Sequence, residues 1–178
     1  RQLAETDALT GFLNRRSLTE SADRLVAECQ ARGEAVAVLV ADLDGFKQFN
    51  DSLGHSAGDA IIKECARRIA GLLPDRALAA RLGGDEFACL VPYDASHPQR
   101  IDKLAADLIE SIAAKVQAAG HAVEATASIG ISTSEAKSAG EEALSPSQRL
   151  LHAADIAMYH AKRRGRNCCF WYEPSMES

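Results

Sequence analysis

Long helical stripes alternate with short apolar runs along this chain. Residues 14–32 set Leu18, Leu25 and Val26 on one side of a helix that Gly33 would end. Within residues 35–42, Val36 to Ala41 is an unbroken apolar run, the pattern of a strand covered on both faces. Residues 45–54 are polar and aromatic and read as an irregular turn. Ile61, Ile62, Cys65, Ile69, Leu72 and Leu73 keep the helical period, with Ser56 as candidate N-cap, Asp59 three positions on, and Pro74 as the stop. Residues 77–82 and 86–91 read as a hairpin. Residues 98–119 carry Ile101, Leu104, Leu108, Ile112 and Val116 at three- and four-residue steps, which predicts one helix. Residues 123–132 alternate as a strand, and the small polar residues of 133–144 read as a loop. Ser145-Pro146-Ser147-Gln148 is a strong helix start, with Ser as cap and Gln at the third position. That helix should run to Arg164 and stop at Gly165, before a last strand over 168–172. The order predicts an α+β sandwich, a sheet with helices on one face.

Composition narrows the function classes. The chain has 178 residues, 47% of them hydrophobic, which suits one domain with a substantial core. A net charge of −5 argues against a general nucleic-acid binder. An anionic ligand would therefore need a local basic cluster or a metal. Cys29, Cys65, Cys89, Cys168 and Cys169 lack metal-site spacing and read as thiols of a reducing compartment. No apolar run approaches the roughly 18 residues of a membrane span, so no membrane contact is expected.

The densest chemistry lies at residues 81–90, Arg-Leu-Gly-Gly-Asp-Glu-Phe-Ala-Cys-Leu. Gly83 and Gly84 suit a tight turn, since both tolerate positive φ, and bare glycines let a backbone approach a phosphate. Asp85 and Glu86 would sit at its mouth. A second acidic cluster, Asp42-Leu43-Asp44, ends the buried run. At ~4 Å and an effective dielectric near 20, each like-charged pair would repel by about 4 kcal/mol. A hard divalent cation relieves that repulsion, and a few carboxylates with retained waters are how magnesium is usually held. The carboxylates of the two clusters, Asp42 and Asp44 with Asp85 and Glu86, are the candidates to meet such an ion. Lys162 to Arg166 ends the last long helix, where cations offset the helix dipole or grip phosphate.

These residues carry a resemblance. Asp7-Ala8-Leu9-Thr10-Gly11-Phe12-Leu13-Asn14-Arg15-Arg16, Asp42 through Asp51, Gly54-His55-Ser56-Ala57-Gly58-Asp59, Gly83 to Phe87, Ala127 to Ser132, and Ala154-Asp155 through Asn167 stand in the order and spacing of one family. The chain resembles the GGDEF domain, the catalytic domain of bacterial diguanylate cyclases, over nearly its whole length. The resemblance implies a ferredoxin-like βαββαβ core related to nucleotidyl cyclases and the polymerase palm, a mostly antiparallel sheet flanked by helices. It implies condensation of two GTP into cyclic di-GMP and two pyrophosphates, with Mg2+ or Mn2+ as cofactor.

The resemblance also assigns roles. Asp42, the backbone carbonyl of Leu43, and Asp85 would hold the metal. Asp85 and Glu86 would serve catalysis, with Gly83 and Gly84 admitting the nucleotide. Asn50 and Asp59 would read guanine, whose N1–H and N2 amino donors suit a carboxylate, with His55 nearby. Lys47, Lys162 and Arg166 would grip the triphosphate. A two-fold symmetric product requires an antiparallel homodimer, each member supplying one GTP. Residues 1–178 would form one cytoplasmic domain, with 1–6 ending an upstream linker helix from a sensory region. Residues 173–178 would start a C-terminal linker, in the manner of proteins that continue into an EAL phosphodiesterase domain. The alternative is a GTP-binding regulatory module controlling such a phosphodiesterase. Two departures stand out. Pro74 and Ala77 occupy the positions of the family's Arg-x-x-Asp product-inhibition site, so that site is expected to be absent. Ala8 replaces a usual proline at the domain entry, which bears on linker stiffness.

Overall fold

The computed structural model describes residues 5–134 and 144–177. In chain order the elements are β1 (Leu13–Asn14), α1 (Arg15–Arg32), β2 (Ala35–Asp44), α2 (Phe46–Leu53), α3 (His55–Leu72), β3 (Leu78–Gly83), β4 (Glu86–Tyr93), α4 (Gln99–Ala113), β5 (Val116–Ala118), β6 (His121–Val123), β7 (Thr126–Thr133), α5 (Pro146–Arg163) and β8 (Cys168–Trp171). A short 3-10 helix, Pro174–Glu177, follows. The main sheet runs β1-β3-β4-β2-β7-β8. Its middle four strands pair antiparallel, and β1 and β8 add parallel edges. Within it, β2-α3-β3-β4-α4-β7 is the expected βαββαβ core.

The pleat of β2 explains its apolar run. Ala37, Leu39, Ala41 and Leu43 face a core built with Ile61, Ile62 and Ile69 of α3 and Ile101 and Leu108 of α4. Val36, Val38 and Val40 face the other way, onto Leu18 and Leu25 of α1 and Leu150 and Met158 of α5. Helices therefore cover both faces of the sheet. The one-face arrangement holds for α3 and α4 alone. A strand with no polar alternation needs the second layer, because its other face would otherwise lie in water.

Gly130 sets the closeness of that second layer. A Cβ at Gly130 would lie 1.9 Å from the Ala154 carbonyl oxygen and 2.2 Å from the Met158 nitrogen. The α5 backbone thus rests directly on β7. The start of α5 matches its reading: Gln148 N–H donates to Ser145 Oγ (3.3 Å) and Ser145 N–H donates to Gln148 Oε1 (3.0 Å).

Several local readings change. Residues 46–53 form α2, a helix rather than an irregular turn, entered through Gly45 at φ +73°. Phe46 and Phe49, one turn apart, pack on the α3/α4 core and anchor it. Gly54, not Ser56, precedes α3, and no side chain caps that start. The helix predicted over 98–119 stops at Ala113. Arg68 of α3 ends it by donating to the carbonyls of Ser111, Ala114 and Lys115, each at 2.8 Å. Val116 and Ala118 then bury as alternate residues of β5, which turns through Ala119 and Gly120, both at positive φ, into β6. Val123 belongs to β6, so β7 begins at Thr126. Thr6 is not helical but bridges Leu13, and residues 1–4 lie outside the described residues. So does most of the loop expected at 133–144, namely 135–143. All five cysteines are free. Among the described residues no helix is long and apolar enough to cross a membrane.

Candidate functional site

The C-terminal end of β2 and the β3–β4 turn meet at one place. Gly83, at φ +151°, still pairs with Glu86, so the two turn residues are Gly84 and Asp85. Asp85 therefore lies in the bend itself rather than at its mouth. Its carbonyl accepts from the N–H of Leu43 at 3.3 Å, which ties the bend to the end of β2. That tie brings the Asp85 carboxyl up to Asp42, close enough for a hydrogen bond between the two when one is protonated. Burial, followed by that bond and the charge of Asp42, pushes the Asp85 carboxyl up to about 7. Lys162 of α5 donates to Asp42 Oδ2 at 2.5 Å. Asp42 Oδ1 is buried with no partner.

Glu86 stands opposite Asp42 across the β2–β4 pair. Burial first, then the charges of Asp155 and Asp42, raise its carboxyl above the ordinary range. It borders a cavity of about 310 Å3 between α1 and α5, together with Arg15, Thr19, Gln148, His152 and Asp155.

Asp44 is the organiser of this end of the sheet. It is buried and accepts from Thr126 Oγ1 (2.7 Å), Ser128 Oγ (2.7 Å) and the Asn167 N–H (3.0 Å). The last bond holds the turn after α5, where Gly165, Arg166 and Asn167 all adopt positive φ. Arg166 is exposed there, three residues past the end of α5.

The remaining candidates lie on the α2–α3 elbow. Asn50 of α2 is half-buried, with Oδ1 buried and unpartnered. Asp59 of α3 is exposed, as are His55 at the start of α3 and Lys47 of α2. The structure thus draws Asp42, Leu43, Asp85, Glu86 and Lys162 into direct contact or adjacency. Lys47, Asn50, His55, Asp59 and Arg166 stand on neighbouring elements.

Sequence reasoning missed a second tether of the bend. Arg81 donates from Nε to the Gly84 carbonyl at 2.9 Å and from Nη1 to Asp7 Oδ1 at 3.2 Å. Asp7 also accepts from the N–H and hydroxyl of Thr10. Burial works against the charged form of Asp7, yet the Thr10 bonds and Arg81 hold its carboxyl below the ordinary value. Arg15, at the start of α1, donates to the Leu82 carbonyl at 3.3 Å. The N-terminal Asp7–Gly11 turn is thereby bound to the glycine bend. The signal was there: Asp7 and Thr10 open the chain's first motif, and Arg81 sits two residues before Gly83.

The donor chemistry suits a hard divalent cation. Two carboxylates at one point, one oxygen without a partner, and a nearby backbone carbonyl are the kind of set magnesium completes with water and phosphate. Among the described residues no cluster of three or more His, Cys, Asp or Glu side chains forms a self-sufficient metal centre. Any ion here would draw its remaining ligands from solvent or nucleotide.

Comparison with known proteins gives the class. Residues 4–168 match the family described as "Diguanylate cyclase, GGDEF domain". The chain belongs to the GGDEF family of diguanylate cyclases. It is 40% identical over 164 residues to the diguanylate cyclase TpbB of Pseudomonas aeruginosa, covering 92% of this chain and 36% of that protein. The solved GGDEF domain of TpbB superposes with a TM-score of 0.84 at 38% identity, covering 97% of this chain and 96% of that one. The GGDEF domain of DgcB from Caulobacter crescentus, solved in complex with c-di-GMP, gives 0.81 at 29% identity, covering 100% and 99%. The bifunctional diguanylate cyclase/cyclic di-GMP phosphodiesterase MucR of Pseudomonas aeruginosa is 38% identical over 182 residues, 99% of this chain but 25% of that protein. This chain spans only a minor part of either curated relative.

Proposed function

We propose that this chain joins two GTP molecules into cyclic di-GMP, releasing two pyrophosphates. The observation that carries the reading is the meeting of Asp42 and Asp85 beside a glycine bend, with Lys162 against them. In each half-reaction the 3′-hydroxyl of one GTP attacks the α-phosphorus of the other. A new O–P bond forms, the α–β phosphoanhydride breaks, and pyrophosphate leaves. Mg2+ or Mn2+ held by Asp42, Asp85 and the Leu43 carbonyl would supply charge neutralisation for this phosphoryl transfer.

The chain's own residues do the rest. Asp85, beside the glycine bend, is placed to accept the hydroxyl proton. Glu86 maintains negative potential beside Asp42. Gly83 and Gly84 leave the approach to the bend free of side chains. Lys162, Arg166 and Lys47 take the phosphate charge, which requires Lys162 to turn away from Asp42. Asn50 and Asp59 read guanine. Each site takes one GTP, so two copies face each other antiparallel for each turnover. The residues at the inhibitory position, Pro74 and Ala77, bear no charge, and the adjacent Arg76 is committed to Glu34 at 2.9 Å. Feedback through that site is therefore absent.

The test is product chromatography after incubating a fused, dimerised form of the chain with GTP and Mg2+. Cyclic di-GMP from the native chain and none from Asp85→Ala supports the reading. GTP binding without product in the dimerised native chain overturns it. The second reading, a regulatory module of a larger protein with a phosphodiesterase, would then stand. It is favoured by the 36% identity, over 94% of this chain and 20% of that protein, to the cyclic di-GMP phosphodiesterase NbdA of Pseudomonas aeruginosa.

A further inference from the structure

We propose that Gly58 is a specificity-determining positioning residue: its missing side chain lets Asn50 lie flat against α3 and turn its amino group toward the base. A Cβ built on Gly58 would fall 1.7 Å from Asn50 Oδ1, 2.8 Å from Asn50 Cγ and 3.3 Å from Phe46 Cζ. The first two are separations that real Cβ atoms do not show, so no other residue fits beneath the Asn50 carboxamide as it stands. Gly58 is buried on α3, immediately before Asp59. Its helical backbone makes no demand for glycine, since its φ is not positive. Glycine inside a helix disfavours it by about 1 kcal/mol relative to alanine. The feature that requires glycine is the contact with Asn50.

That contact also fixes which end of Asn50 meets a ligand. Oδ1 is buried and unpartnered against α3. An oxygen facing an α-carbon hydrogen gains a weak C–H···O contact, whereas an amino group there would find no acceptor. The Nδ2 donors therefore point outward. Asp59, the next residue after Gly58, presents only acceptors. Together they form a donor beside a carboxylate, complementary to a base edge with an acceptor next to paired N–H donors. Guanine has that edge and adenine does not. This inference rests on the assignment of Asn50 and Asp59 to guanine and adds the residue that aims them.

The experiment measures binding of a non-hydrolysable GTP analogue and its ATP counterpart, with Mg2+, by calorimetry. It uses the native chain, Gly58→Ala, Asn50→Ala and the double variant, with thermal unfolding of each. Gly58→Ala is expected to weaken GTP-analogue binding by roughly 10- to 100-fold, the worth of a misplaced hydrogen bond. It should also shrink the preference over the ATP analogue. Asn50→Ala should lose as much, and the double variant should bind within about two-fold of Asn50→Ala alone. If Gly58→Ala fails to fold, the double variant should recover folding, because the clashing Oδ1 and Cγ are gone. Native-like binding and selectivity in Gly58→Ala overturns the proposal. So does an equal loss, or equal unfolding, when Asn50 is already alanine, since Gly58 would then act through the helix alone. A native chain that binds neither analogue sinks the guanine assignment itself, and normal Gly58→Ala binding beside a weakened Asn50→Ala sinks only the role of Gly58.

Discussion

The two ends of the candidate site are organised by different forces. At the β2 end, Asp42, Asp85 and Glu86 crowd together with Lys162 as the direct cationic partner, and two of the carboxyls are driven toward protonation. At the α2–α3 elbow, Asn50 and Gly58 make a steric fit with no ion pair, and the adjoining charges, Asp51 and Asp59, are exposed. One end stores electrostatic repulsion that a bound cation can relieve. The other stores shape. Changes in pH and ion content should therefore move the first and leave the second alone, while loss of a cavity should do the reverse.

Replacing the charge at the first end gives the largest expected effect. Asp85→Asn keeps the bend, because the Leu43 N–H bonds the backbone carbonyl and not the side chain. Cyclic di-GMP formation should fall by at least about 10³-fold, as proton acceptor and metal ligand are lost together. Binding of the GTP analogue in the absence of metal should change little. Unfolding should move upward at pH 8, since one of two repelling carboxylates has gone. A variant that loses stability at pH 8 would show that Asp85 is a structural anchor and that the repulsion is not there.

The next effect reaches the β2 end through packing. Gly130→Ala places a methyl group within 1.9 Å of the Ala154 carbonyl and 2.2 Å of the Met158 nitrogen, both backbone atoms of α5. Helix and sheet must part, at a cost of about 3 kcal/mol or loss of folding. Lys162 would leave Asp42 with the helix. Chemical denaturation reads the loss, and an unchanged midpoint would mean that α5 is free to shift.

How far these arrangements could be read from sequence depends on the range of the forces. Val36 to Ala41 and the Ser145–Gln148 cap are local patterns, and both were legible. The acidic clusters could be paired because apolar strands ending in carboxylates demand a partner. α2 was not legible, because Phe46 and Phe49 define a single helical turn among polar residues. The end of α4 was hidden because Arg68, 43 residues before Ser111, imposes it. The Asn50–Gly58 contact was hidden for another reason: a glycine in a helical stretch announces nothing until the neighbouring helix is in place. The Arg-to-Asp tether between Arg81 and Asp7 spans 74 residues and appears only when β1 lies beside β3.

A smaller effect tests the electrostatic end by pH. The Asp85 carboxyl titrates near 7 in the folded chain, against 3.8 ordinarily. The folded state thus binds more protons than the unfolded state between about pH 4 and pH 7, so stability falls as pH rises through that window. Metal-free protein should lose on the order of 2 kcal/mol across it, less than the full shift implies because the two carboxyls titrate as a pair. Asp85→Asn should flatten the slope, and Mg2+ should restore stability at pH 8 more than at pH 5. Below pH 4 the slope reverses, since the hydrogen bond from Arg67, helped by Arg68, holds Glu64 at about 2 and its contribution is lost only on further acidification. A flat profile from pH 4 to 7 would contradict the crowding of Asp42 and Asp85. Asn50→Ala should leave the profile unchanged, which is the sharpest contrast between the two ends.

The smallest effect concerns a surface away from both. Pro74 and Ala77 carry no group that could hold a cyclic dinucleotide, and Arg76 is turned toward Glu34 by a positive φ of 71° and an ion pair at 2.9 Å. An arginine so engaged would have to break that pair and rotate its backbone before meeting a phosphate. Arg76→Ala should therefore change product accumulation by less than about two-fold, and the time course should run on without slowing as cyclic di-GMP builds up. Exposed ion pairs of this kind contribute little, so unfolding should shift only slightly. Curvature in the native time course that Arg76→Ala removes would show that Arg76 leaves Glu34 for the product, and that feedback here uses a different set of residues.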